Sequence, residues 1–190
     1  MKNLVKLLSL CLMLVPALAF SHGAPRLKVV EEITINAEPA KVWEAVKNFD
    51  SLHTWHPAIK STEAKGGNDK GATRTLTLES GGTIDEELKK FDAEKMTVMY
   101  AITGMSAAGE VDDHGHPHEV PVVPVSKYKA WISVTAADGG SKVKWMGKFF
   151  RAYHGKSDHP PEELGDKVAK ETISSIYTSG LESLKAQLEK

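Results

Sequence analysis

The sequence predicts an α+β domain in which a curved antiparallel sheet wraps around a long C-terminal helix, with an internal cavity between them. Three observations carry this. An alternating stretch at Leu27–Ile35 runs straight into a short amphipathic segment, so a strand leads into a helix. Six further alternating stretches follow, several separated by turns at Gly66-Gly67, Gly81-Gly82 and Asp138-Gly139-Gly140. The chain then closes on a helical periodicity from about Pro161 to Leu188, which at a rise of about 1.5 Å per residue reaches roughly 40 Å, enough to cross a small sheet.

Each element has its own justification. In the first strand Val29, Glu31 and Ile33 share one side. Asn36-Ala37-Glu38-Pro39 opens the first helix, with Pro39 suited to the first turn, and Val42, Val46 and Phe49 recur at i, i+4, i+7 on one face. The loop Phe49-Asp50-Ser51-Leu52-His53-Thr54-Trp55-His56-Pro57 comes next. Strands are expected at Ile59–Ala64, Thr73–Ser80, Thr83–Asp92, Met96–Thr103, Lys127–Ala136 and Ser141–Tyr153. Leu164, Val168, Ile173, Ile176, Tyr177, Leu181, Leu184 and Leu188 mark the buried stripe of the last helix.

Alternation also fixes register. Leu76 and Leu78 share a face with Ile84 and Leu88 only if the intervening loop has an odd number of residues, such as Ser80-Gly81-Gly82. That places Arg74 and Glu86 on the inward face, diagonal to one another. A four-residue loop from Ala137 to Gly140 pairs Val134 with Val143, Ile132 with Trp145 and Tyr128 with Phe149, leaving Lys142, Lys144 and Lys148 in water.

The first residues read as an address. Lys2 and Lys6 precede an apolar run from Leu4 to Leu18, and Ala17-Leu18-Ala19 offers small residues for cleavage. Residues 1–19 are therefore expected to be a signal peptide, with a cut as late as residue 21 as the alternative, and the run is short for a membrane span. Cys11 lies inside it, so the mature chain is expected to have no thiol and no disulfide, and a packed core must hold it together; Leu10, where a lipoprotein signal needs a small residue before the cysteine, makes a lipid anchor unexpected. The expected compartment is the periplasm. Removing two lysines shifts the net charge from −1 to −3. No basic stripe is evident, so nucleic acid is not an expected partner. Residues 27–188 then form one domain of ordinary size.

Two clusters carry candidate chemistry. Trp55 and His56 either rim a cavity or seal the core and cap a turn. Arg74 and Glu86, facing inward, either hold a polar ligand group or pair with one another, because a buried charge requires a partner. Leu76, Tyr100, Tyr128, Trp145 and Phe149 complete the expected cavity wall, with ordinary core packing as the alternative. The second cluster is an insertion at about 105–121, where Asp112-Asp113-His114-Gly115-His116-Pro117-His118-Glu119 sets three imidazoles among three acids. His114, His116 and His118 could bind Cu, Zn or Ni weakly, with His154 or His159 as further donors; the alternative is a solvated loop. Cleavage after Ser21 would add His22 at a new N-terminus as a copper chelate. No cofactor is expected. No nucleophile elbow or phosphate loop is present, so the expectation is a non-enzymatic protein, with a Glu86–His56 acid–base pair as the catalytic alternative.

Taken together, Ala37-Glu38-Pro39 with Val42-Trp43, Phe49-Asp50 with Trp55-His56-Pro57, Gly71-Ala72-Thr73-Arg74, Gly81-Gly82-Thr83-Ile84 with Glu86, and Tyr177 with Gly180-Leu181 and Leu184 resemble the SRPBCC (START-like, Bet v 1-like, polyketide cyclase-type) superfamily. The resemblance covers roughly Val29 to Leu188 and implies the helix-grip fold, with a cavity between sheet and C-terminal helix. Export, Trp55-His56-Pro57 and Pro124-Val125-Ser126-Lys127-Tyr128 look most like the MxaD-type periplasmic proteins associated with methanol oxidation. That likeness implies an accessory role beside a quinoprotein methanol dehydrogenase and its cytochrome c. The superfamily also implies two alternatives: a cyclase- or aromatase-like enzyme, or a carrier of a small apolar molecule or lipid.

Overall fold

Strand-forming alternation and Gly-rich turns build a seven-stranded antiparallel sheet. In the computed structural model, which describes residues 24–154 and 159–190, the chain runs β1 (Leu27–Ile35), α1 (Pro39–Val46), α2 (Leu52–Trp55), β2 (Ile59–Lys65), β3 (Thr73–Leu78), β4 (Thr83–Asp92), β5 (Thr97–Met105), β6 (Ala107–Asp113), β7 (His116–Pro121), β8 (Val125–Ala137), β9 (Gly140–Arg151) and α3 (Asp166–Leu188). The spatial order is β1-β9-β8-β5-β4-β3-β2, and β6 and β7 form a separate two-stranded ribbon. The expected leader and His22 lie outside the described residues.

The inward residues of β1, β4, β5, β8 and β9 and one face of α3 make the core. Ile35, Leu88, Val143, Phe149, Tyr177 and Leu184 are fully buried in it. The last helix starts later than periodicity suggests: Glu162–Leu164 is a single 3-10 turn and Gly165, extended at φ −82° and ψ 171°, begins α3. Ala169 rather than Val168 is buried, and α3 spans about 35 Å at about 1.5 Å per residue.

Register follows the alternation, with two adjustments. Between β3 and β4 the loop is odd but centred one residue earlier than expected: the Leu78 N–H donates to the Gly82 carbonyl at 3.0 Å. Gly81 and Gly82 hold φ at +92° and +83°, the left-handed region glycine tolerates. Arg74 therefore stands directly opposite Glu86, not diagonal to it. Between β8 and β9 the expected pairs Val134–Val143 and Ile132–Trp145 form, closed by a tighter turn because Ala137 itself pairs with Gly140. A bulge between Ser126 and Lys129, where Lys127 takes φ +48°, interrupts the ladder at the expected Tyr128–Phe149 pair. The two rings nonetheless stack at 6.0 Å.

The insertion differs most from expectation. It is a β-ribbon, not a loop, turning at His114 and Gly115, both with positive φ (+54° and +87°). Two successive positive-φ residues suit a tight hairpin turn, which closes the ribbon.

Candidate functional site

A cavity of about 240 Å³ lies between the sheet and α3. Its wall is mostly apolar: Leu52, Ile59, Leu76, Leu78, Ile84, Ile102, Val122, Val123, Ile173 and Ile176. His56, Ser80, Glu86, Tyr100, Tyr128, Trp145 and Thr172 supply the polar side-chain atoms. Of the nine side chains expected at the wall, His56, Leu76, Glu86, Tyr100, Tyr128 and Trp145 line it. Trp55, Arg74 and Phe149 do not.

Trp55 and His56, adjacent in sequence, part company in space. The loop carrying them contains the one-turn helix α2, which turns Trp55 inward to 3% exposure against Trp145, centroid to centroid 5.6 Å. Trp55 seals the core; its indole N–H is buried with no hydrogen-bond partner among the described residues. His56 reaches the cavity with both nitrogens engaged. Nδ1 accepts from the Ala58 N–H at 3.1 Å, so Nε2 carries the proton and donates to the Ile176 carbonyl of α3 at 3.0 Å. Burial holds its pKa below the ordinary histidine value, which keeps the ring neutral in this role. Gly180 makes the approach possible: a Cβ there would stand 2.5 Å from His56 Cδ2 and 3.0 Å from Trp145 Cζ3.

Glu86 stands in the cavity wall and its partner Arg74 behind it, each about 5% exposed. Arg74 Nε and Nη2 both donate to Glu86 Oε2, at 2.7 and 2.6 Å, and Nη1 donates to the Phe49 carbonyl at 2.7 Å. The guanidinium also lies over the rings of Phe49 and Tyr100, at 4.2 and 5.0 Å. Arg74 is thus satisfied by protein groups. Glu86 Oε1 accepts no hydrogen bond among the described residues. Burial pushes the Glu86 carboxyl above its ordinary pKa, against the pull of Arg74.

Aromatic residues finish the wall. Trp145 stacks on Tyr177 at 4.4 Å and donates its indole N–H to the Tyr100 hydroxyl at 2.9 Å; the Tyr128 and Tyr177 hydroxyls are hydrogen-bonded to each other. Burial pushes all three phenol pKa values up, so they remain neutral hydrogen-bonding groups. Gly147 faces the Tyr177 hydroxyl, where a Cβ would collide with it.

The ribbon histidines lie apart from this cavity. His114 and His118 approach the two oxygens of Asp113 at 3.9 and 3.7 Å, and Asp113 also accepts from the Tyr153 hydroxyl at 2.8 Å. His118 packs edge-on to the Tyr153 ring at 5.2 Å, and His116 stands opposite Asp113 in the ladder. Two of the three imidazoles, those of His114 and His118, thus approach one carboxylate. Among the described residues no group of three or more His, Cys, Asp or Glu side chains is placed to hold a metal ion. No helix among them is long and apolar enough to cross a membrane.

This geometry agrees with the comparisons. An uncharacterized protein of Bacillus thuringiensis superposes with a TM-score of 0.65 at 25% identity, over 86% of this chain and 100% of that one. The protein XoxI of Bacillus cereus gives 0.63 at 26% identity, over 86% and 94%. Ara h 8.0201 gives 0.61 at 24%, over 86% and 98%, a likeness of fold alone. No curated protein sequence matched. The profile of the family described as polyketide cyclase / dehydrase and lipid transport matches residues 26–189. With its curved seven-stranded sheet gripping α3 around a lined cavity, the chain belongs to that SRPBCC-type family and has its helix-grip fold.

Proposed function

We propose that the protein is a non-enzymatic binder of one small, largely apolar molecule. The observation that carries this is the cavity itself: about 240 Å³ of mostly hydrophobic wall, with the polar side chains of its lining mostly hydrogen-bonded to protein. A volume below the roughly 300 Å³ at which typical ligand pockets begin suits a compact ring system or short chain better than a two-chain lipid. The free oxygen of Glu86 offers one acceptor for a hydroxyl or amine on that molecule. The same bonding argues against a Glu86–His56 acid–base pair, because both His56 nitrogens are held by the backbone.

The place of action extends the proposal: export to the periplasm as an accessory to a quinoprotein methanol dehydrogenase and its cytochrome c. The leader-like residues 1–19 and the MxaD-like motifs Trp55-His56-Pro57 and Pro124 to Tyr128 support it.

Native mass spectrometry of the purified protein is expected to show a retained small molecule. Filling the cavity by Leu76→Trp should abolish retention while the fold, read by circular dichroism, persists. An empty wild-type protein that also fails to quench Trp145 fluorescence on titration with small apolar alcohols and amines would sink the binding reading. Turnover of any such compound that disappears in Glu86→Gln would replace it with an enzymatic one.

A further inference from the structure

The outer face of the sheet carries a charge arrangement that the fold alone does not explain. Lys28 of β1 stands directly opposite Lys148 of β9, and Lys148 stands opposite Lys129 of β8. Like charges directly opposite in a ladder repel. Lys142 and Lys144, farther along β9, share Glu32 at 3.5 and 3.0 Å; none of Lys28, Lys129 or Lys148 has a salt bridge among the described residues. Beside this row runs a half-buried apolar stripe, Val30–Met146–Trp131–Met99, continuous across four strands, with Lys148 Nζ lying 5.8 Å from the Trp131 ring. Among the described residues no helix packs on this face; α3 sits on the other.

The ribbon shows the reverse pattern. Glu110 of β6 stands directly opposite Glu119 of β7, with Asp112 two residues along on the same side. All three are exposed, while the opposite side of the ribbon, carrying Asp113 and His118, is turned toward Tyr153. No Lys or Arg occurs from Met105 to Ser126. Neither Glu110, Asp112 nor Glu119 has a salt bridge among the described residues, and Glu119 remains unpaired even though Lys127 lines the same surface groove.

Each cluster is repulsive within itself and the two are opposite in sign, three carboxylates against three ammonium groups. We propose that the acidic face of the β6–β7 ribbon docks on the lysine-bearing outer sheet face of a second copy of this chain. The Trp131–Met146 stripe beside the lysines supplies apolar surface to cover, and the ribbon's length, about 20 Å at about 3.3 Å per residue, spans the three strands that carry them.

Sedimentation velocity of the purified protein tests this at about 10 mM salt, where the Debye length is about 30 Å, and at about 1 M, where it is about 3 Å. Self-association is expected at low salt and its loss at high salt. Glu110→Lys with Glu119→Lys, and separately Lys129→Glu with Lys148→Glu, should each be monomeric at low salt. Mixing the two variants should restore association, because reversed ribbon then meets reversed face. These positions are exposed or half-exposed, and circular dichroism verifies folding. A wild type that stays monomeric at low salt overturns the proposal, as does association that survives both reversals. A monomer that instead sediments with vesicles of phosphatidylglycerol, and loses this with Lys129→Glu and Lys148→Glu, would overturn it in favour of a membrane surface.

Discussion

Arg74 illustrates how a buried charge is made tolerable: two bonds to one carboxylate oxygen, one to the Phe49 carbonyl, and two aromatic faces. Removing one partner leaves the other stranded at low dielectric, which costs about 3–5 kcal/mol, whereas replacing both with apolar groups is close to neutral. Arg74→Met is therefore expected to lower stability by about that amount. The double variant Arg74→Met with Glu86→Leu should recover most of it, less the about 1–3 kcal/mol of an unsatisfied Phe49 carbonyl. Urea midpoints of the four proteins decide the matter; costs that simply add would show that the two side chains do not depend on one another. That Arg74 and Glu86 share the inward face is legible in the alternation of β3 and β4. Their direct opposition is not, because it depends on where Gly81 and Gly82 place the turn, and two adjacent glycines permit more than one placement. The separation of Trp55 from His56 was equally hidden, since it depends on the single turn of α2.

Elements were legible in proportion to how much core they bury. Six strands of the main sheet and α3 are legible because each carries an apolar face; β2, which buries only Ile59, is legible from its place between the Trp55-His56-Pro57 loop and the Gly66-Gly67 turn. The ribbon is not, because β6 and β7 bury almost nothing, and a strand made of Glu, Asp, His and Pro lacks the pattern that reveals one. Cavity-lining positions such as Val122 and Thr172 are not legible in the sequence because they are brought there by packing of the ribbon's root and of α3. The packing of α3 also explains its mid-helix glycine. Glycine costs about 1 kcal/mol there relative to alanine, yet His56 and Trp145 occupy the space a Cβ would need. Gly180→Ala should destabilise the protein by about 1–3 kcal/mol, the usual cost of overpacking, despite its better helix propensity. A thermal midpoint higher than wild type in that variant would mean that α3 can retreat from His56 freely.

Over the whole molecule, two buried titratable groups of the cavity act in opposite directions on stability. Burial lowers the pKa of His56, whose unfolded value is about 6.5. As pH falls below about 6.5 the unfolded chain takes up a proton that the folded ring refuses. The stability His56 contributes is thus fully present above that value and lost as pH drops through the folded pKa. Burial raises the pKa of Glu86, so its contribution is full below the unfolded carboxyl value and lost as pH rises through the folded one. The acid limb can be isolated because glutamine at position 56 can still donate to the Ile176 carbonyl without titrating. Wild type is expected to lose stability with acid more steeply than His56→Gln, by up to about 1.4 kcal/mol per pH unit below 6.5. The two curves of urea midpoint against pH should therefore converge toward pH 5. Parallel curves through that window would show that His56 takes up its proton inside the fold, and the bond from Nε2 to α3 would then not hold the ring neutral.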